Sequence, residues 1–434
     1  MYRSRLVSAL AMAALATILL PSSLPAQITF ERTYGGTDDD EGYAVRQTTD
    51  GGYIIAGRTI SFDAGHDDVY LIKTDVHGDT LWSKTLGSTD HGCGNSVQQT
   101  TDGGYIIAGT ATLHGASHCD IYLIRTDANG DTLWTRAFGG TSYDIGNSVQ
   151  QTADGGFIIA GWTMSYGAGG YDVYLIKTNG RGIARWTRTF GGRQDDYGCS
   201  VRQTADGGYV IAGETESFGS SHYNIWLVKT DANGAALWTR TFHGLIWGHD
   251  ASVQQTTDGG YVIVGLIAPY GSDHFDACLI KVDPRGGTLW TKTYGGSNDD
   301  EGLSVQQTTD GGYIVAGCSW SFGAGGPDVY LVKTDANGDT LWTRTFGGRW
   351  FDFSYSVQQT TDGGFIIVGY TDSLGAGGAD VYLIKTDSLG DVAVAEPKTN
   401  PTRALALSLT CEPNPCRGAT RIGLKLQAPD AAHL

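Results

Sequence analysis

Beyond the first 20 residues the chain has no sustained apolar helical stripe. No later segment is a candidate for spanning a bilayer as a helix, which takes about 20 apolar residues. These absences exclude a helical bundle and a multi-span helical membrane protein. Basic residues are outnumbered, with 29 Lys and Arg against 46 Asp and Glu and a net charge of −17. An acidic surface repels phosphate backbones, so nucleic acid is not an expected partner; solubility outside the cell and tolerance of divalent cations are. The seven cysteines (93, 119, 199, 278, 318, 411 and 416) occupy no repeated position, which excludes a disulfide framework shared by repeated units. Cys93 with Cys119, and Cys411 with Cys416, are candidate pairs in an exported chain, and the odd count leaves at least one thiol over. There is no G-x-S-x-G, H-E-x-x-H or P-loop.

What the chain has in abundance is glycine and aromatic residues: 64 Gly, 22 Tyr and 11 Trp, against 10 Pro. That composition suits many short strands joined by tight turns. The stretch Ser96–Thr110, SVQQTTDGGYIIAGT, recurs in close variants. The aspartates of its DGG turn stand at Asp50, Asp102, Asp154, Asp206, Asp258, Asp310 and Asp362, and every interval is 52 residues. The tryptophans at 82, 134, 186, 238, 290 and 342 keep the same interval. Loops ordinarily accept length changes, so a strict period implies that each unit fits identical neighbours.

One unit reads as four strands: SVQQT (Ser96–Thr100), YIIAG (Tyr105–Gly109), IYLIRT (Ile121–Thr126) and LWTRAF (Leu133–Phe138). Thr-Asp-Gly-Gly joins the first two and Ala-Asn-Gly-Asp the last two, and both are hairpin chemistry. Four antiparallel strands in about 50 residues make one propeller blade. The ends complement each other. Ile28–Gly36 matches Thr340–Gly348, with Phe30 at the tryptophan position, and so supplies a lone fourth strand. The last unit has three strands and carries Val394 where tryptophan is due. Pairing Ile28–Tyr34 with Asp380–Asp387 closes a ring and removes its exposed edges. Residues 27–390 number 364, seven whole periods. The expected fold is therefore all-β, a seven-bladed β-propeller of four-stranded antiparallel blades closed by the N-terminal strand. The tryptophan position should pack between blades. The glycine that ends YIIAG should mark a close backbone approach or a positive φ. The Asp before VYLIK should accept backbone hydrogen bonds.

The run FGGTSYDIGNSVQQTADGGFIIAGWT (Phe138–Thr163), followed by YDVYLIKT, resembles bacterial seven-bladed propeller repeats of the SBBP type. The DANGDTLW segments resemble, more weakly, the tryptophan-docking repeats of quinoprotein propellers. LTCEPNPCRGATRIGLKLQAPDAAHL (Leu409–Leu434) is similar to the start of a type IX secretion sorting domain and of the related FlgD-like immunoglobulin fold. Arg3, Arg5, the apolar run Leu6–Leu20 and the break at Pro21–Ala26 read as a cleaved secretory signal. The expected organisation is a signal peptide (1–26), the propeller (27–390), a linker (391–408) and a truncated β-sandwich sorting domain (409–434).

Both hairpin turns fall on one face of such a ring. The other two connections fall on the opposite face, and there the units diverge, which marks a candidate contact surface. Its binding-face candidates are His66, His118, His222 and His274 at one aligned loop position, and Trp247, Trp350 and Phe351 in aromatic-bearing loops. One histidine per blade keeps those rings apart and argues against a zinc cluster. Asp40, Asp144, Asp196, Asp300 and Asp352 share another aligned position. They are the candidate metal ligands, for Ca²⁺, which prefers several oxygens; capping of a nearby turn is the competing and favoured role. No spacing selects a carboxylate pair for glycoside cleavage, no catalytic residue is identified and no cofactor is predicted, calcium being the one ion these positions could take. The function read from these features is a secreted or cell-surface monomeric ring that binds or displays a protein or glycan. The alternative is an extracellular enzyme, a polysaccharide hydrolase or lyase or a quinone-dependent dehydrogenase. It would need carboxylates or a cationic pocket converging on the central channel. A third reading is a structural repeat of the cell envelope.

Overall fold

The computed structural model describes residues 27–62, 66–87, 91–113, 116–219, 223–242, 251–268, 274–392, 407–411 and 422–426. The expected signal segment 1–26 lies outside them. The chain divides into two compact units, Met1–Val392 and Ala393–Leu434. Within the second, Leu407–Cys411 pairs antiparallel with Ile422–Leu426. No helix among the described residues is long and apolar enough to cross a membrane.

The first unit is a ring of seven four-stranded antiparallel sheets. Blade 3 serves as the type: Asp144–Gln151 is innermost, followed outward by Phe157–Thr163, Asp172–Thr178 and Ala184–Phe190. Six blades use consecutive strands. The seventh takes its outer strand from the beginning of the ring: Phe30–Tyr34 pairs with Val381–Lys385, Phe30 opposite Lys385. That is the register in which Trp186 faces Lys177 in blade 3, so Phe30 does occupy the tryptophan position.

The hairpins explain why their sequence repeats. All seven DGG turns put their first glycine at φ between 75° and 90°. All seven Asn-Gly-type turns do the same at 73° to 80°. These are left-handed conformations that side chains rarely adopt. The glycine that closes the YIIAG motif, inside the second strand, is a different case. Gly161 has no positive φ, but a Cβ there would lie 1.8 Å from the Ile145 carbonyl oxygen, at a bulge in the inner strand between Gly146 and Ser148. Close backbone approach is the reason for glycine there.

Burial lies between blades as much as within them. Seven clusters of buried apolar side chains form, one at each blade junction. Each tryptophan (or Phe30) meets the aromatic ring after the next blade's DGG turn edge-on, as in Trp134–Phe157, with centroids 5.8–6.0 Å apart at all seven junctions. The same indole covers the next Asn-Gly-type turn, where a Cβ on Gly182 would strike Trp134 at 2.6 Å. A single aromatic buries on the order of 150–250 Å², so this one position seals each junction.

The polar residues of SVQQT are bonded around the ring as well. The glutamine that ends every inner strand accepts an amide beside the preceding blade's DGG turn, from Gln99 taking Thr49 to Gln47 taking Thr361. The DGG aspartate pairs in every blade with a buried cation of the third strand, for example Asp154 with Lys177 at 2.9 Å. Burial pushes the Asp154 carboxyl up. Hydrogen bonds from Thr152, Lys177 and the Gly156 amide outweigh that and bring its pKa to about 2.

Cys93 and Cys119 are free thiols, not a pair. Cys93 lies opposite Thr110, which lies opposite Ile121, two residues beyond Cys119, itself just before the strand Asp120–Thr126. A whole strand separates them, roughly 10 Å across the sheet, beyond disulfide reach. The candidate pairing of Cys416 lies outside the described residues.

Candidate functional site

The face carrying the long connections is built differently from the hairpin face. Asp40, Asp144, Asp196, Asp300 and Asp352 are fully buried and open the inner strands instead of sitting in the loops. In each, Oδ2 accepts the amide four residues earlier, from Gly36, Gly140, Gly192, Gly296 and Gly348, at 2.7–2.9 Å. Ser61, Ser165, Ser321 and Ser373 donate to four of them. This is a turn-capping arrangement. The five stay one to a blade, and no group of three or more His, Cys, Asp or Glu is gathered for a metal among the described residues.

Each of the five does meet one other carboxylate, from the third strand of the preceding blade. A Cβ on Gly191 would lie 1.9 Å from Asp172 Oδ1 and 2.7 Å from Asp196 Oδ2. The same holds at Gly35, Gly139, Gly295 and Gly347. Burial first, and then the facing aspartate, push up the carboxyls of Asp120, Asp172, Asp276, Asp328 and Asp380. Asp172, Asp328 and Asp380 also accept a loop amide, from Ala168, Ala324 and Ala376, the expected role of this position.

His66 lies edge-on to His91 at 5.4 Å. His118 Nε2 is 3.4 Å from the Gly140 carbonyl oxygen, and His274 is 3.7 Å from Asp299. The structure does not bring these three histidines together. His222 and Trp247 lie outside the described residues. Trp350 and Phe351 are 55% and 46% exposed, and Arg349 lies 5.2 Å over the Trp350 ring.

Phe351 begins something that sequence reading did not find. It stacks on Phe353 at 6.3 Å, Phe353 on Tyr370 at 5.2 Å, Tyr370 meets Tyr355 at 6.1 Å, and Tyr355 meets Tyr43 at 5.3 Å. Trp320 packs edge-on to Phe353 at 5.5 Å. An aromatic track thus runs from the exposed loop of blade 7 to Tyr43 and Tyr355, which line the central channel. Across the ring, Trp162, Tyr171, Tyr197 and Tyr223 form a second cluster. The signal in the sequence was the alternation of aromatics in WFDFSY.

The channel itself is two joined cavities of about 470 and 400 Å³, the second nearer the DGG hairpins. Neither lining includes an Asp or Glu. Both include Arg46 and Arg202, at the two places where the unit reads VRQ instead of VQQ. The convergence of carboxylates needed by a glycoside hydrolase is not present among the described channel residues, whereas a cationic pocket is.

No family model matches the chain. A segment of 198 residues is 30% identical to the regulatory protein FlaEY of Caulobacter vibrioides, over 40% of this chain and 20% of that one. The chain thus spans about a fifth of the length of that curated relative. Among solved structures it is similar to the WD40 domain of Pan2 from Neurospora crassa, with a TM-score of 0.50 at 10% identity over 83% of this chain and 96% of that one. It is also similar to an ulvan lyase solved with a bound saccharide, with a TM-score of 0.54 at 9% identity over 82% and 96%. At such identities the likeness establishes the propeller fold alone.

Proposed function

We propose that the protein is an exported propeller of the SBBP type that binds a protein or glycan partner through the long-loop face. On this reading residues 1–26 direct export, the ring acts as a monomer at the cell surface or outside the cell, and 409–434 begin a type IX sorting domain. The observation that carries the binding reading is the aromatic track from Phe351 to Tyr43, with Trp350 exposed beside its start, on a face whose loops differ from blade to blade. Aromatic rings offer rigid apolar area to sugar rings and to protein side chains alike. The Asp40-type positions serve as turn caps on this reading, and calcium at them is the alternative that the assay below also covers.

The purified chain is to be tested on a glycan array and against candidate protein partners, with and without calcium. Specific binding that falls at least tenfold in Trp350→Ala/Phe351→Ala, with an unchanged melting temperature, supports the proposal. Binding untouched by those changes, or turnover of a polymer, overturns it. The cationic channel favours one second reading, an enzyme acting on an acidic polysaccharide; release of unsaturated or reducing ends from such a polymer would establish it.

A further inference from the structure

Independently of the loop face, we infer that the central channel is a binding site for a multivalent oxyanion, a phosphate or sulfate group, held by Arg46 and Arg202. The buried cations among the described residues of the ring have carboxylate partners: Lys73, Arg125, Lys177, Lys229, Lys281, Lys333 and Lys385 each pair with a DGG aspartate. Arg46 and Arg202 have none among the described residues. Arg46 Nη1 reaches the Val45 carbonyl oxygen and the Ser356 hydroxyl. Arg202 Nη1 reaches the Val201 carbonyl oxygen. Nε and Nη2 of both have no protein acceptor among the described residues and remain as donors. Glu41, which accepts the Tyr43 hydroxyl, is itself paired with Arg58.

These two guanidiniums work against the ring that contains them. In the other five blades glutamine stands at this position, as Gln98, Gln150, Gln254, Gln306 and Gln358. Each accepts the backbone amide of the glutamine that ends the next blade's inner strand. Arginine cannot accept, so each substitution forfeits an inter-blade hydrogen bond. Burial first, and then the charge of Arg202, pull the Arg46 pKa down to about 10; burial alone pulls Arg202 down. Two like charges sharing one carboxylate-free channel, in a chain of net charge −17, are the complement of an anion with more than one negative charge. Planar guanidinium forks match phosphate and sulfate oxygens, and the neighbouring amide and hydroxyl side chains, Gln98, Gln150, Gln254 and Ser304, offer further donors.

The variant Arg46→Gln/Arg202→Gln restores the residue native to the other five blades, so it is expected to fold. Calorimetric titration with inorganic phosphate and with sulfate, in a low-salt chloride buffer at matched ionic strength, should give one site per chain. Each arginine removed should weaken it about tenfold or more, given the strength of charge-assisted hydrogen bonds. Without oxyanion the double variant should melt at or above the wild-type temperature; with phosphate only the wild type should gain. Glucose 6-phosphate distinguishes a free oxyanion from one carried on a sugar: equal affinity indicates recognition of the oxyanion alone, tighter binding a reading of the carrier too. Absence of one-site binding in the wild type, or equal affinity in the double variant, overturns the inference.

Discussion

The two faces of the ring are made from the same 52-residue unit and treat polar groups in opposite ways. On the hairpin face each DGG aspartate meets a buried cation, and each glutamine meets an amide of the adjoining blade. On the loop face carboxylate meets carboxylate at five junctions, and aromatic rings stand exposed. One face spends its polar residues on fitting blade to blade. The other sets carboxylate against carboxylate, with backbone amides and serine hydroxyls as their donors, and leaves apolar surface exposed. A scaffold and a contact surface differ in that respect, and substitutions should separate them.

The largest loss is expected at the inner-strand bulge. Gly161→Ala drives a Cβ to 1.8 Å from the Ile145 carbonyl oxygen and should cost about 3 kcal/mol or more, read by guanidinium unfolding. Trp134→Ala opens the seal over Gly182 and Phe157. It should cost about 3 kcal/mol, the low end for such truncations because the indole is half-buried. Asp154→Ala leaves Lys177 without its carboxylate, but Asp154 is largely exposed, so about 2 kcal/mol is expected. Its pH dependence fixes the sign. A folded pKa near 2 against an ordinary value of about 4 stabilises the wild type above pH 4. The gap between wild type and variant should close as pH falls from 4 towards 2.

The loop face should answer in the other direction. Asp172 has a raised pKa, from burial first and then from Asp196, so its charged form opposes folding at neutral pH. Asp172→Asn should stabilise by up to about 1 kcal/mol at pH 7, and the advantage should shrink on acidification as the wild-type carboxyl takes up its proton. Blade 4 already carries this exchange as Asn224, whose amide donates to the Phe218 carbonyl oxygen. Smallest of all, Trp350→Ala and Phe351→Ala should leave stability within about 0.5 kcal/mol while removing partner binding. A thermal-melt comparison of all six variants would collapse the distinction between the faces if loop and hairpin substitutions cost the same.

The ring was legible because strict periodicity and glycine-bearing turns survive in the letters. Phe30 at the tryptophan register was enough to place the closing strand. The start of the inner strand was not legible. Asp144–Asn147 reads as polar loop, and only burial against Gly140 and Ser165 makes strand of it. Tyr43, Tyr355 and Tyr370 come together from blades 1 and 7, whose inner segments lie about 300 residues apart in sequence, and no local pattern reports that. Arg46 and Arg202 left a trace, the change from VQQ to VRQ, but its meaning depends on knowing that the position faces an axis shared by all blades.

The seam at Phe30–Tyr34 has a consequence for how the molecule is made. Six blades can fold from contiguous segments as they emerge, whereas the seventh recruits a ribbon synthesised about 350 residues earlier. Until Val381–Lys385 arrives, that ribbon presents unpaired backbone, and until the two meet so does the free edge of Val381–Lys385. Two half-finished chains can exchange ribbons as readily as one can fasten itself. Dilution during refolding should therefore favour self-fastened rings over interlinked pairs.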